Sequence, residues 1–592
     1  MSAGSSMPFR DPPPLIVRTP PLGRPVSPLS RLRSNWSDFS GIRSNPQQDP
    51  ATQEILKRRI GGTFWERPVG RVPPVLVCVP SHPALALRMW KAAKDWADVS
   101  QLTLVTPAKG NLWRRMRQAT RHEGAQALTS AVNPFSLLDS AQTLLAPPDG
   151  LTDLAALGAL AGFPVRRLNA MGEWETDPKA GDWSLDLLHN GTMYQSPFSG
   201  ASVDLMEALA LLANWQSVLT ENRKISVCLG MSFWKRQRIE EFFATADQRR
   251  PHPLFRRTTQ GALNAIRKTK YKTGVAVWAT RLPRGLEQAT RRENIPLLRI
   301  EDGFIRSAGL GSGFLPPASI ITDQRGPYYD PAQPSDLEVL LSTHPLGAAL
   351  QERARKLITV ILERSISKYA AGGASPDLGA PLGCRIILVP GQVEDDMSVR
   401  LGGGSIQDNM TLLRRVRAAC PEAFIIYRPH PDVHAGHRTG ALRDADVLEF
   451  ADRICREGGM APLLDVVDEV HTLTSLTGFE ALMRGLSVTT YGQPFYAGWG
   501  LTNDHAPVAR RTRRLNMAQL AAATLLLYPR YIDPVTRLPC GPEVLVDRFG
   551  TPDFWRPGPL MRLRHAQGRI RRAFVQGVHA VFHKRAENQK SL

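Results

Sequence analysis

An α/β protein with two doubly wound, Rossmann-like halves facing a cleft, preceded by a partial α/β region, is the architecture this sequence predicts. Three observations carry the prediction. Short apolar runs alternate with helical patterns along most of the chain, as parallel strands joined by crossover helices require. The stretch SISKYAAGGASPDLGAPLG at 365–383 interrupts that rhythm with small residues and prolines, as a linker between two sheets does. The length, 592 residues, exceeds what one hydrophobic core holds.

Taken in order, residues 1–70 are rich in Pro, Ser and Arg and predict a disordered arm, because such a composition buries too little apolar surface to offset ordering entropy. VLVCV from Val75 predicts a buried strand and ALALRMWKAAKDWA after it an amphipathic helix, opening an α/β region over 71–195. A second start is expected near residue 196, where a helical pattern at 201–219 leads into ISVCLG (225–230) and WKRQRIEEFFA. With GVAVWA (274–279) and PLLRI (296–300) these form an N-terminal Rossmann-like half over 196–370. CRIILVP (384–390), AFIIYR (423–428), EVHTLT (469–474) and SVTTYG (487–492) form a C-terminal half over 371–550. The tail, 551–592, is basic and reads either as a solvated helix or as a surface for anionic lipid. Residues 137–165 echo 463–488 through a shared LLD and a helix that turns into a valine. The echo is either coincidence between two αβ units or the relic of a duplicated module, and it lacks the Ser, Thr and Glu that could bind a ligand.

Composition narrows the function classes. With 42% hydrophobic and 22% charged residues the chain is neither fibrous nor wholly disordered. Its formal charge of +20 favours nucleic acid, anionic lipid or acidic glycan without choosing among them; no basic-aromatic module of nucleic-acid-binding spacing accompanies it, so no specific nucleic acid is expected. The six cysteines are scattered without C-x-x-C pairs, which points to no disulfide framework, no zinc site and a reducing cytoplasm. No secretory signal and no uninterrupted apolar stretch of about 18 residues is evident, so a soluble or peripheral protein is expected.

Ligands of open parallel sheets bind beyond the carboxyl ends of strands, and four polar clusters lie there. PLLRI runs into Glu301, Asp302, Gly303 and Arg306, two acids at a turn where a carboxylate can act as base or nucleophile. CRIILVP runs into Gln392, Glu394, Asp395 and Arg400 and a Gly402–Gly404 run, either a ligand loop with open amides or a solvated loop with a helix cap. AFIIYR ends in Arg428 and leads to His430 between two prolines, which should hold the backbone extended and deny it a helix. That imidazole is either structural or placed to donate to, or protonate, a phosphate. Thr474, Ser475, Gly478 and Glu480 stand where a strand feeds a helix; they read either as an anion site with Glu480 on ribose hydroxyls or as a Ser/Thr cap with Glu480 closing a capping box. No Walker A loop and no dinucleotide-type G-x-G-x-x-G is present, which excludes the usual kinases and dehydrogenases. A nucleotide-sugar cleft fits these groups better than a hydrolase triad.

The motifs EDGFIRSAGLGS (301–312), DQRGPYYDPAQPSDLE (323–338), VPGQVEDDMSVRLGG (389–403), YRPHPD (427–432), TSLTGFEALMRG (474–485), YGQPFYAGWGLTND (491–504) and YPRYIDPVTRLPC (528–540) occur in this order. In them the sequence resembles the capsular polysaccharide biosynthesis family of bacterial β-Kdo glycosyltransferases, over about 190–550. The resemblance implies a GT-B-like fold and a CMP-β-Kdo donor bound by the C-terminal half, with no cofactor and no metal. It implies Asp302 as the catalytic carboxylate, His430 on the CMP phosphate, Thr474 and Ser475 beside it, and Glu480 on the ribose. A β product from a β donor implies retention, natural if Asp302 forms a covalent adduct. Arg306, Arg325, Arg400 and Arg428 are candidates for cationic support. Tyr496 and Trp499 either pack beside the cleft or stack on sugar or cytosine. The implied partners are a lipid-linked glycan acceptor, an anionic inner-membrane surface and capsule export machinery. Family members with two transferase modules carry the motif set twice; here it occurs once, so a single active site is expected, with 71–195 in the place of a first module. The competing class is a catalytically silent scaffold that binds acidic glycan or an export complex.

Overall fold

Strand-forming runs rich in Val, Ile and Leu appear where the sequence places them, buried on both faces as parallel strands covered by helices must be. The computed structural model describes residues 12–34, 36, 45–107, 110–247, 251–269, 273–307, 315–368, 375–434 and 438–551. The chain divides into two units. The first takes the chain up to Lys224 together with Phe243–His252 and Thr536–Leu538; the second takes Ile225–Phe242 and Pro253–Val535 and resumes at Pro539.

The first unit holds a six-stranded sheet in the spatial order Gln126–Thr129, Leu102–Thr106, Val75–Cys78, Thr143–Ala146, Val165–Leu168, Trp174–Thr176. All neighbours are parallel except the last pair. Met89, Trp90, Leu104, Met116 and Leu145 pack one face of it. Its helices start on conventional caps: Thr152 accepts from the Ala155 amide ahead of Asp153–Leu160, and Asp204 and Glu207 form a capping box ahead of Leu205–Arg223.

Two expectations are corrected here. Described residues within 12–70 are not a disordered arm. Ser30–Leu32 pairs with Thr192–Tyr194, Pro50–Arg58 is a helix, and Ile16, Val17, Leu29, Ile55 and Ile60 are buried. Sparse apolar residues suffice because they enter a core that the rest of the unit builds, which composition alone does not register. The boundary also falls later than residue 196: helix Leu205–Arg223 belongs to the first unit, and the second opens at Ile225. The basic tail lies outside the described residues, apart from its first position.

The second unit holds two sheets. One has the order Leu254–Arg256, Ile225–Leu229, Gly274–Trp278, Leu297–Asp302, Ser319–Asp323, Pro529–Ile532, Pro539–Cys540. It is parallel through Leu297–Asp302 and antiparallel beyond, so the chain returns to this sheet at 529–540 instead of staying with the C-terminal half as expected. The other has the order Arg453–Ile454, Phe424–Arg428, Ile386–Pro390, Glu469–Thr472, Ser487–Thr490, Asn503–Asp504, parallel throughout. Ile387, Val389, Leu412, Val416, Ile425 and Tyr427 form the center of its core.

Candidate active site

Asp302 ends the strand Leu297–Asp302. Gly303 follows it, and a Cβ there would collide with Ser319 Oγ on the neighbouring strand, so packing alone already requires a glycine at this position. Arg306 places Nε 2.9 Å from Asp302 Oδ2 and is itself wholly buried. On the other oxygen, Lys235 Nζ stands 3.1 Å from Oδ1. Lys235 comes from the turn Phe233–Lys235 after strand Ile225–Leu229, and its ammonium lies 3.4 Å from the centroid of the Trp278 ring, a favourable cation–π contact.

These charges decide protonation. Burial alone would raise the Asp302 pKa, but Lys235, Arg306 and Lys368 outweigh it and hold the carboxyl at about 2. Glu301, one residue earlier, accepts from the Thr280 amide at 3.0 Å; burial and the Asp302 charge push it up to about 7, against Lys235. Adjacent strand residues face opposite sides, so the two carboxyls sit in different surroundings and differ widely in acidity.

His430 follows the strand Phe424–Arg428, and its Nδ1 accepts the Asp432 amide at 3.1 Å. That bond assigns the neutral tautomer with the proton on Nε2, a donor directed away from its own turn. Burial lowers its proton affinity, with Lys368 and Arg438 adding to the effect against Asp432 and Asp396. The prolines do not bar a helix: Pro431 opens the short helix Pro431–His434, with the His434 amide donating to the His430 carbonyl. Proline is well suited to a first helical position, where its missing N–H is not needed.

Thr474 is held by Gln392, whose Nε2 donates to Thr474 Oγ1 at 2.9 Å and whose Oε1 accepts the Thr474 amide at 3.0 Å. Gln392 is therefore a brace between two strand-end loops. Ser475 caps the helix Leu476–Met483. Glu480 is buried and accepts the Lys368 amide at 3.0 Å. It lies beyond the third helical position, which Gly478 occupies, so the capping-box alternative fails. Burial raises its pKa, against the Lys368 amide and the charges of Arg484 and Lys368. The Lys368 carbonyl in turn accepts from the Arg306 amide at 3.3 Å. Glu480, Lys368, Phe304, Ile305 and Leu525 line one small pocket, and Leu525 comes from a π-helical turn, Ala522–Leu527, a rare form that is enriched at functional sites.

Several expected residues do other work. Arg428 is buried and donates to the Glu457 and Gly458 carbonyls, both at 2.5 Å. Arg325 is exposed and paired with Asp336, and Arg400 is exposed on Met397–Gly402. Glu394 accepts the Asn409 amide at 2.9 Å. Asp395 is paired with Arg438 on the surface, and Asp396 caps Met397–Gly402. Tyr496 and Trp499 are fully buried. Tyr496 donates to the Ser475 carbonyl at 2.6 Å and covers Gly478 so closely that a Cβ there would strike its hydroxyl. Both rings pack; neither is free to stack on a ligand. Arg325, Arg400 and Arg428 thus stand outside the charges that act on Asp302, which are Lys235, Arg306 and Lys368. Lys235 had one signal, a basic residue just past a strand; Lys368 lay inside the stretch read as linker. Among the described residues no group of three or more His, Cys, Asp or Glu could hold a metal.

Comparison with known proteins follows the same residues. The profile described as "Capsule polysaccharide biosynthesis protein" matches residues 273–531, which contain Asp302, His430 and Glu480. "Lipopolysaccharide-processing protein LpsZ" of Rhizobium meliloti is 37% identical over 376 residues, 63% of this chain and 80% of LpsZ. The chain belongs to the capsule polysaccharide biosynthesis family. "Capsule polysaccharide modification protein LipA" of Neisseria meningitidis serogroup A is 42% identical over 347 residues, 58% of this chain and 48% of LipA, so the chain spans about half the length of that relative. Among solved structures, Thermosulfurimonas dismutans KpsC, titled a beta Kdo 2,4 transferase, is 31% identical with a TM-score of 0.48, covering 55% of this chain and 98% of the solved one.

Proposed function

We propose that this member of the capsule polysaccharide biosynthesis family is a retaining glycosyltransferase that moves Kdo from CMP-β-Kdo to a Kdo-primed lipid or glycan in capsule linker synthesis. The observation that carries the reading is the grouping around Lys368: its amide donates to Glu480 at 3.0 Å, its carbonyl accepts the amide of Arg306, which pairs with Asp302, and its charge bears on Asp302 and His430 as well, groups that stand at the ends of strands of two sheets or in the helix that follows one. Two Rossmann-like halves meeting at a cleft in the GT-B manner would produce such a grouping.

Asp302, ionised at neutral pH, attacks the anomeric carbon; the phosphate oxygen leaves with its electron pair, stabilised by the Nε2–H of His430 and by Thr474 and Ser475. Glu480 holds the ribose. An acceptor hydroxyl then displaces Asp302 and restores the original configuration, two inversions giving retention. Glu301, pushed up to about 7, is suited to take or return a proton near neutral pH. In this reading the leaving phosphate is held by the His430 Nε2–H and the Thr474 and Ser475 hydroxyls without a divalent ion; turnover undiminished in EDTA is the expected result. Among the described residues no helix is long and apolar enough to cross a membrane, and a cytoplasmic enzyme peripheral to the inner membrane fits a lipid-linked acceptor.

The test supplies CMP-Kdo, generated in the reaction, with a synthetic Kdo-primed glycolipid, and reads products by mass spectrometry. One residue added by wild type, lost in Asp302→Ala and His430→Ala while both still bind CMP, is expected. CMP binding without transfer to any Kdo-terminated acceptor would overturn the substrate; no CMP binding at all would leave the scaffold.

A further inference from the structure

The two cations on Asp302 are not equivalent. Arg306 is wholly buried, and its remaining nitrogens are taken by Ser307 Oγ at 2.8 Å and the Leu315 carbonyl at 2.9 Å. Lys235 keeps a 10% exposed side chain, faces Asp302 Oδ1, and rests on the Trp278 ring, with Trp234 a further 5.2 Å neighbour. Arg306 is closed off with its nitrogens engaged, while Lys235, though also buried, keeps the small exposure that remains between the two cations on Asp302.

Charge conservation through the reaction gives this difference a consequence. In the first step an Asp302 oxygen forms a bond to the anomeric carbon, and the carbon–oxygen bond to phosphate breaks with its electron pair going to CMP. Asp302 is then a neutral ester. Lys235 is left as a buried cation over an aromatic face with its counter-ion gone, a costly state unless another anion arrives. In an ordinary aldose the anomeric carbon carries only hydrogen at that place. In a ulosonic acid it carries a carboxylate, one bond from the carbon joined to Asp302.

We propose that Lys235 binds the carboxylate on the anomeric carbon of the donor sugar, exchanging its ion pair with Asp302 for one with the substrate, and thereby selects ulosonic acids over aldoses. The inference rests on the displacement at Asp302 proposed above. When the acceptor hydroxyl attacks, the ester bond breaks, Asp302 regains its charge, the hydroxyl proton passes to a base, and Lys235 returns to its first partner as product leaves.

The experiment uses the full chain and two competitors, 2-deoxy-Kdo and its C1 carboxamide, measured as inhibitors of CMP-Kdo turnover and as ligands in the presence of CMP. Wild type is expected to bind the carboxamide weaker by on the order of 30-fold, the loss of one charge-assisted pair. In Lys235→Met that ratio falls to about 1 while CMP binding stays unchanged; Lys235→Arg restores most of it. Lys235→Gln carries the same comparison where the Met variant fails to fold. A ratio near 1 in wild type, or one that survives in Lys235→Met, overturns the inference while the transferase reading stands. A wild type that binds CMP but does not turn over CMP-Kdo overturns the donor reading, and this inference with it.

Discussion

The six-stranded sheet of the first unit and the second sheet of the other unit have the same strand order. In each the first strand is central, the second and third lie to one side, and the fourth, fifth and sixth to the other. The helix after the fourth strand has eight residues in both, Asp153–Leu160 and Leu476–Met483, each capped by a hydroxyl, Thr152 or Ser475. The chemistry diverges at single positions. Five residues past the cap stand Leu157 and Glu480; three past it stand Ala155 and Gly478. The first helical residue is Asp153, ion-paired with Arg18, against Leu476. Where the second strand ends, one sequence reads Thr106-Pro107-Ala108 and the other Arg428-Pro429-His430. A carboxylate at a helix start repels the anion such a start otherwise favours. One topology thus carries the candidate site's polar groups in one place and apolar or ion-paired residues in the other, because such groups reside in the loops and helix turns that follow the strands.

The largest expected effect comes from exchanging the two residues five past the cap. Leu157→Glu places a charge in the first unit's core, where Leu157 is 1% exposed, and should cost about 3–5 kcal/mol, read as a fall in thermal midpoint with no CMP binding gained. Glu480→Leu should weaken CMP binding by about 10–100-fold by calorimetry with a smaller change in stability. A CMP site created by Leu157→Glu would break the comparison.

Next is the position three past the cap. Gly478→Ala must move the Tyr496 ring off the helix and disturb its bond to the Ser475 carbonyl; about 1–3 kcal/mol of stability should be lost in chemical denaturation. Ala155→Gly should cost only about 0.5–1 kcal/mol, the ordinary penalty of glycine in a helix.

A smaller effect separates the acid pair from both sheets by pH. Glu301 is pushed from 4.5 to about 7 on folding, so between those values the folded chain keeps a proton that the unfolded chain has released, and stability falls as pH rises. Asp302, lowered from 3.8 to about 2, contributes stability above 3.8 that is lost as pH drops through 2. Glu301→Gln should remove the first slope, on the order of 2 kcal/mol between pH 5 and 8, measured by urea unfolding. The smallest expectation is Arg325→Ala: a pair with Asp336 whose arginine is 58% exposed should change stability by less than about 1 kcal/mol and leave transfer unaltered.

The sequence made most strands of the second unit legible because each is a short apolar run ending at a motif. It concealed the return of Pro529–Ile532 and Pro539–Cys540 to the first of that unit's sheets, since pairing between distant segments leaves no local pattern. Asp302 and His430 were legible as strand-end groups, and Glu480 as a group one turn inside the helix that follows a strand. The residues that tune them were not: Lys235 precedes its partner by 67 positions, and neither charge nor spacing announces such a pair. The arginines conspicuous in motifs were misleading for the same reason, Arg428 being spent on two carbonyls that only the fold brings near it.

The peptide at Lys368 has one further consequence. Its amide is fastened to Glu480 and its carbonyl to the Arg306 amide, so one residue, through two successive peptide planes, ties the helix that carries Glu480 to the turn that carries Arg306. In mechanical terms it is a tie: load between those two elements passes through a hydrogen bond at each end of one residue. Cutting either bond would free one end of the tie, so the spacing of Glu480 from the Asp302–Arg306 pair depends on this residue's backbone and not on its side chain.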